Sequence, residues 1–320
     1  MLSETDIIHD LKNSFPSHIG DDAAVIPAFG EQSYVITKDL LVEDTHFRQS
    51  YVDAPSLAQK ALQVNLSDVA AMGAKPCFIL LGIAIPEKNA AYAKAFLDNF
   101  ALQVKQAGLI LIGGDTVKSV DKLMISITAI GLADTENIRY RSKAKIGDII
   151  CVAGELGHAH VGFLACEQAK QGFEAYQAAF LRPMAKLAEG QWLAQQHAVT
   201  SMMDLSDSLY VDLKRLCKSS EIGAELNLDQ LKPEKDFTVA CEKLGIEPVQ
   251  AMLSGGEDYG LLFTIEKAAY DLLSQKFYQK FGYKITPVGS ITSSKEIKFI
   301  ENGVGKNLIL RPFSHFGETP

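Results

Sequence analysis

The sequence lacks most of the signatures that would announce a mechanism. Its 320 residues contain no G-x-x-x-x-G-K-[ST] loop and no G-x-G-x-x-G turn, so neither familiar glycine cradle for phosphate is present. Its cysteines (Cys77, Cys151, Cys166, Cys217 and Cys241) are odd in number and form no C-x-x-C pair. That spacing signals neither a zinc site nor a disulfide framework, and it suits reduced, mostly buried thiols of the cytosol. Positive charge is in deficit: 31 Lys and Arg against 39 Asp and Glu leave a formal net charge of −8. A general nucleic-acid binder needs the opposite balance, because it must displace counterions from phosphates. The longest apolar run, near Cys77 to Pro86, is far too short to cross a bilayer. Met1-Leu2-Ser3-Glu4 also lacks the basic flank and apolar core of a signal peptide. The expectation is a cytoplasmic protein with neither nucleic acid nor membrane as partner.

What the chain does have is ample material for a core, with 47% hydrophobic and 22% charged residues. Its length favours two domains. Ser3 with Asp6 reads as a capping box for a first helix running toward Phe15, and Ser56 with Gln59 as a second, opening a helix that Gly73 stops after Met72. Strands are expected at Ala23–Ile26 and Tyr34–Thr37, with Asp39 where the latter ends. Phe78–Ile85 and Leu109–Ile112 read as buried strands, separated by a helix over Ala90–Ala107, and Leu123–Leu132 as a further strand. Around Lys143 to Asp148 the pattern turns polar, which divides the chain into 1–145 and 146–320. The second half again alternates: strands at Ile149–Ala153, Ser201–Met203, Ala224–Leu228 and Tyr259–Ile265, and helices after Gly157, over Pro183–Gln196, over Leu209–Lys218 and toward Phe281. The class is α/β or α+β, with sheet order unreadable.

Carboxylates at strand ends and glycine turns are the remaining route to phosphate, because they can hold Mg²⁺ against phosphate oxygens. Gly20-Asp21-Asp22 is one such place, though Gly-Asp is also ordinary turn chemistry. Asp39 could equally solvate its loop. Asp68 is more pointed, because Leu57, Ala61, Val64 and Asp68 form one helical stripe that carries the carboxylate onto a buried face. It also lies late in its helix, where the macrodipole disfavours negative charge. A buried Asp satisfied by Ser67 or a loop is the alternative. Gly113-Gly114-Asp115-Thr116 closes an aliphatic run and would let backbone approach a ligand or simply make a turn. Asp204-Leu205-Ser206-Asp207 precedes a helix, where Ser206 or Asp207 could be a plain N-cap and the helix end a phosphate cradle.

These segments occur in a set order. Gly20-Asp21-Asp22-Ala23-Ala24, Asn65 through Ala74, Ile112 through Thr116, Asp204 through Asp207, and Ser254-Gly255-Gly256-Glu257-Asp258-Tyr259 together resemble the thiamine-monophosphate kinase family, within the aminoimidazole ribonucleotide synthetase superfamily. The likeness runs from about Gly20 to Phe316. It implies a two-domain aminoimidazole ribonucleotide synthetase-like fold whose N-terminal sheet pairs with that of a second subunit, hence a homodimer. It also implies phosphorylation of thiamine phosphate by ATP, with several Mg²⁺ ions. By motif, Asp22, Thr37, Asp39, Asp68, Asp115, Asp204 and Asp207 would hold metal. Gly114, Asp115, Arg141 and Ser206 would contact ATP, and His46, Glu257 and Phe313 the thiamine phosphate. Three residues depart from the family pattern: Lys38 for a usual Thr, Ser208 for a Gly and Gly260 for a Glu. Small shifts in loop geometry are expected from them. An ATP-dependent ribonucleotide synthetase, a metal-dependent phosphatase and a nucleotide sensor are the rival readings.

Overall fold

A computed structural model describes residues 4–15 and 19–310. The expected cap at Ser3 and the expected contact of Phe313 lie outside the described residues. The first half contains α1 (Glu4–Ser14), β1 (Ala24–Pro27), β2 (Gln32–Val42), α2 (Ala54–Ala71), β3 (Lys75–Ile85), α3 (Ala90–Gln106), β4 (Ile110–Lys118) and β5 (Met124–Asp134). The second half adds β6 (Ile149–Ala153), α4 (His158–Glu167), α5 (Glu174–Leu181), α6 (Leu187–Ala194), β7 (Val199–Asp204), α7 (Leu209–Ser220) and β8 (Gly223–Asn227). It continues with α8 (Lys235–Leu244), α9 (Pro248–Ser254), β9 (Leu261–Ile265), α10 (Tyr270–Phe281), β10 (Thr286–Thr292), β11 (Ile297–Glu301) and β12 (Val304–Lys306).

Each half builds one mixed sheet, and the architecture is two-domain α/β of the α+β kind. The first sheet runs β1-β2-β5-β3-β4, antiparallel except for the parallel pair β3–β4, which α3 connects. Burial alternates along β2 and β5, the mark of a sheet covered on one face only. Val35, Leu41, Ile79, Ile83, Ile125 and Ile127 pack that face against α2 and α3. The second sheet runs β12-β11-β8-β10-β6-β9-β7. Every residue of β7 and β9 is buried, because α7 and α9 cover one face while α6, α10 and the end of α2 cover the other.

Several elements depart from expectation for physical reasons. The helix α2 starts at Ala54, capped by Asp53, whose Oδ1 accepts the Ser56 amide at 2.8 Å; the expected Ser56–Gln59 box is not used. The strand β2 runs through Asp39 to Val42, so Asp39 sits within a strand on the core side. β3 alternates instead of being buried throughout. The Leu109–Ile112 run was expected as a buried strand, but β4 is exposed at every residue and carries Gly113-Gly114-Asp115 inside the strand. It is an edge strand, and among the described residues no strand pairs with its outer side. An added Cβ at Gly114 would lie 1.8 Å from Leu81 O, so strand packing alone demands glycine there. The expected helix over Pro183–Gln196 is confined to α6, and α5, α8 and α9 were not anticipated.

Candidate functional site

The long helix α2 is the spine of the site. Asp68 projects from its second half toward β2, where Thr37 Oγ1 donates to Asp68 Oδ2 at 2.5 Å. One turn earlier, Asn65 Oδ1 accepts the Asp39 amide at 3.1 Å, which fixes β2 to the helix. Ser67 Oγ donates to Asp204 Oδ2 at 2.8 Å, and Asp204 is the last residue of β7. One helix thereby brings carboxylates from both halves of the chain together.

Asp22, Asp68 and Asp204 converge, each with an oxygen within 4.8 Å of the others. Asp22 and Asp204 are buried. Burial, and then the neighbouring charges of Asp39, Asp204 and Asp22, push the Asp68 carboxyl well above its ordinary range. Asp204 is raised in the same way, by burial and then by Asp22 and Asp212. Burial lifts Asp39 to about 6. The donor set is all oxygen and anionic, buried where its own charges repel, and such a site fits a hard divalent cation.

Among the described residues, Arg141 is the one cation set directly against this cluster. Its Nη2 reaches Asp22 Oδ1 at 2.6 Å and its Nε reaches Asp22 Oδ2 at 3.2 Å. Burial opposes the guanidinium charge, but the Asp22 carboxylate overrides it and raises the Arg141 pKa. The Arg141 amide donates to Asp21 at 2.7 Å, which tethers the Gly20-Asp21-Asp22 loop.

The loop after β7 is held by a carboxylate that sequence reading missed. Asp212, wholly buried in α7, accepts the amides of Asp207 and Ser208 at 3.1 and 3.0 Å. Arg215 pairs with both Asp207 and Asp212. The N-cap of α7 is Ser208, whose Oγ accepts the Val211 amide at 3.2 Å, and not Ser206 or Asp207 as expected. This leaves Ser206 and Asp207 facing a cavity of about 440 Å³.

That cavity joins the acidic residues Asp39, Asp68, Asp204 and Asp207 to His46, Glu257 and an aromatic wall of Tyr51, Phe163 and Phe180. The imidazole Nδ1 of His46 accepts the Val42 amide at 3.0 Å. The Glu257 amide donates to Ser206 O at 2.7 Å, binding the Ser254–Tyr259 loop to the loop after β7. A Cβ at Gly256 would meet Asp207 O at 2.6 Å, so that close approach requires glycine. Lys60, fully buried on α2, ion-pairs with Glu257 at 2.8 Å. Nothing in the pattern around Lys60 marks it, because lysine on a helix is ordinarily solvated and its partner lies in the other half of the chain.

Two of the residues expected at the site stand apart. In register, Asp115 pairs with Gly82, Gly82 with Ser126 and Ser126 with Leu40. Paired residues share a face, so Asp115 lies with Leu40 on the half-exposed face of the sheet, opposite to Asp39. Gly114 pairs with Leu81, Leu81 with Ile127 and Ile127 with Asp39, so it shares the face of Asp39 but lies on the edge strand at the far side of the sheet from β2.

Family models match both halves: AIR synthase related protein, N-terminal domain, over residues 20–133, and AIR synthase related protein, C-terminal domain, over residues 145–302. The two matches fall on the two halves of the chain that each build one mixed sheet. The thiamine-monophosphate kinase of Buchnera aphidicola subsp. Schizaphis graminum (strain Sg) is 35% identical over 93% of this chain and 92% of its own length. That of Escherichia coli (strain K12) is 34% identical, over 94% and 92% respectively. The solved structure of AaThiL complexed with AMPPCP and TMP superposes with a TM-score of 0.86 at 28% identity, covering 98% of this chain and 97% of that one. The chain belongs to the thiamine-monophosphate kinase family.

Proposed function

We propose that this enzyme phosphorylates thiamine phosphate with ATP, giving thiamine diphosphate and ADP by direct, in-line transfer beside a cluster of Mg²⁺ ions. The carrying observation is the single cavity in which Asp68, Asp204 and Asp207 share walls with His46 and Glu257. The names of the curated relatives and the AMPPCP and TMP held together by AaThiL support the same pair of substrates.

In this reading Asp22, Asp68 and Asp204 hold the metal, assisted by Thr37, Asp39 and Asp207. The bound metal supplies neutralisation of phosphate charge. Arg141 and Ser206 serve the ATP phosphates, Arg141 through its planar fork. His46, Glu257 and Phe313 serve thiamine phosphate, whose cationic thiazolium suits an acidic and aromatic wall. The attacking phosphate oxygen is already largely deprotonated near neutral pH, so no strong general base is required. A cysteinyl intermediate has little support. None of the five cysteines lines the cavity, and burial pushes the Cys217 and Cys241 thiols up to about 12 and about 11.

The reading extends to 1–145 and 146–320 as domains, which the change of sheet between Asp134 and Ile149 supports. It includes a homodimer through the first sheet, where Gly114 and Asp115 would lie at the subunit boundary. It also includes a cytoplasmic location; no described helix is long and apolar enough to cross a membrane. Product analysis with Mg-ATP and thiamine phosphate tests the core claim. Thiamine diphosphate should form in step with ADP, and labelled ATP should leave no label on protein lacking acceptor. ADP release that ignores the acceptor, or a chemically competent phosphoenzyme, would overturn it.

A further inference from the structure

We infer that Lys60 is a positioning residue for the acceptor end of the cavity, acting through Glu257; the inference rests on the function proposed above. Lys60, Val64 and Asp68 follow one another at four-residue steps on α2, and all three line the cavity. At 1.5 Å per residue, eight residues separate Lys60 from Asp68 by about 12 Å along the helix. The cavity therefore has two poles on one rigid element: the carboxylate cluster at Asp68, and the Lys60–Glu257 pair.

The Lys60 ammonium is already engaged within the protein. Its Nζ meets Glu257 Oε1 at 2.8 Å and Phe180 O at 3.2 Å, and lies 3.8 Å from the Phe180 ring centroid. A buried ammonium is tolerated only when so surrounded, and the arrangement ties α2, α5 and the Ser254–Tyr259 loop to one point. Glu257, in contrast, keeps 32% of its side chain exposed. Its backbone is left-handed, with φ 67, unusual for a residue other than glycine. The loop thus presents Glu257 in a costly conformation, and Lys60 fixes the rotamer in which one carboxylate oxygen is held while the group still borders the cavity. A cationic heterocycle at this pole would meet a carboxylate already ordered, and so lose less entropy on binding.

Steady-state kinetics on Lys60→Met, Glu257→Gln and the double variant test this role. Lys60→Met should raise KM for thiamine phosphate about tenfold, the scale of one ordered contact, and leave KM for ATP within about twofold. In the Glu257→Gln background the same substitution should add almost nothing, because its route of action is gone. If Lys60→Met does not fold, Lys60→Gln keeps donors for both oxygens without the charge, and should show a smaller rise in the same KM. Additive effects in the double variant, or equal losses for ATP and thiamine phosphate, would show that Lys60 merely supports the fold. Wild-type enzyme run alongside separates the two claims. If wild type makes no thiamine diphosphate, the function fails and the Lys60 role with it. If wild type turns over normally while the variants add, only the Lys60 role fails.

Discussion

At the scale of single residues, Asp68 concentrates the tension of the site. It is half-buried among three other carboxylates and accepts a short hydrogen bond from Thr37. An Asn at this position keeps the shape and can accept the same hydrogen bond while removing the charge. In chelator, Asp68→Asn should therefore melt at the wild-type temperature or above, because the like charges that burden the metal-free fold are reduced. Mg-ATP should stabilise wild type by about 2.7 kcal/mol at a hundredfold excess over its dissociation constant, and the variant should lose most of that gain and nearly all turnover. Melting curves of both proteins, with chelator and with Mg-ATP, decide it; a lower metal-free melting point with an intact Mg-ATP shift would remove Asp68 from the metal site. Asp68 was legible in the sequence because it continues an apolar stripe where a carboxylate has no local reason to be. Lys60 and Asp212 were not, since each owes its role to partners that only the fold brings near.

At the scale of elements, α4 is capped from a distance. The Asp258 carboxylate accepts the Gly157 amide at 2.7 Å and the Ala159 amide at 3.1 Å, at the N-terminus of the helix. Burial raises Asp258 to about 7, although these backbone donors pull the other way. A carboxyl raised in the fold above its unfolded value of 3.8 takes up a proton on folding. Its contribution is thus fully present below about pH 4 and is lost as pH rises through about 7. Denaturant melts between pH 4.5 and 8 should show wild-type stability falling more steeply with pH than that of Asp258→Asn. The difference should be at most one proton, or about 1.4 kcal/mol per pH unit. Parallel curves would mean that Asp258 stays ionised. Elements with clear periodicity, such as α2, α3, α7 and β5, were readable from the sequence. β4 was misjudged because four aliphatic residues look the same on a bare edge as in a core, and periodicity does not report what lies outside the chain.

Across the whole molecule the two sheets are treated unequally. The second is covered on both faces, whereas the first has α2 and α3 on one face and a half-exposed face opposite. On that open face, register aligns Ala24 with Ile36, Ile36 with Ile130, Ile130 with Phe78 and Phe78 with Ile110, an apolar row across all five strands. Ile110 is 57% exposed and Ile112 50%, on an edge strand with unpaired backbone groups. Such a row beside an open edge is a liability in a monomer, and in the proposed homodimer a second copy of the same sheet would bury it symmetrically. Sedimentation at micromolar concentration should therefore give twice the 34.9 kDa chain mass. Ile130→Glu places a charge at the centre of the row, on the face away from α2, so it should dissociate the pair while each chain stays folded. In the proposed dimer Asp115 and Gly114 would border the partner and, by the family resemblance, ATP, so the separated chains should also bind Mg-ATP more weakly, read as a smaller thermal shift. A wild type that sediments as a single chain would refute the dimer. A Ile130→Glu variant that still sediments as two chains would move the interface to another surface.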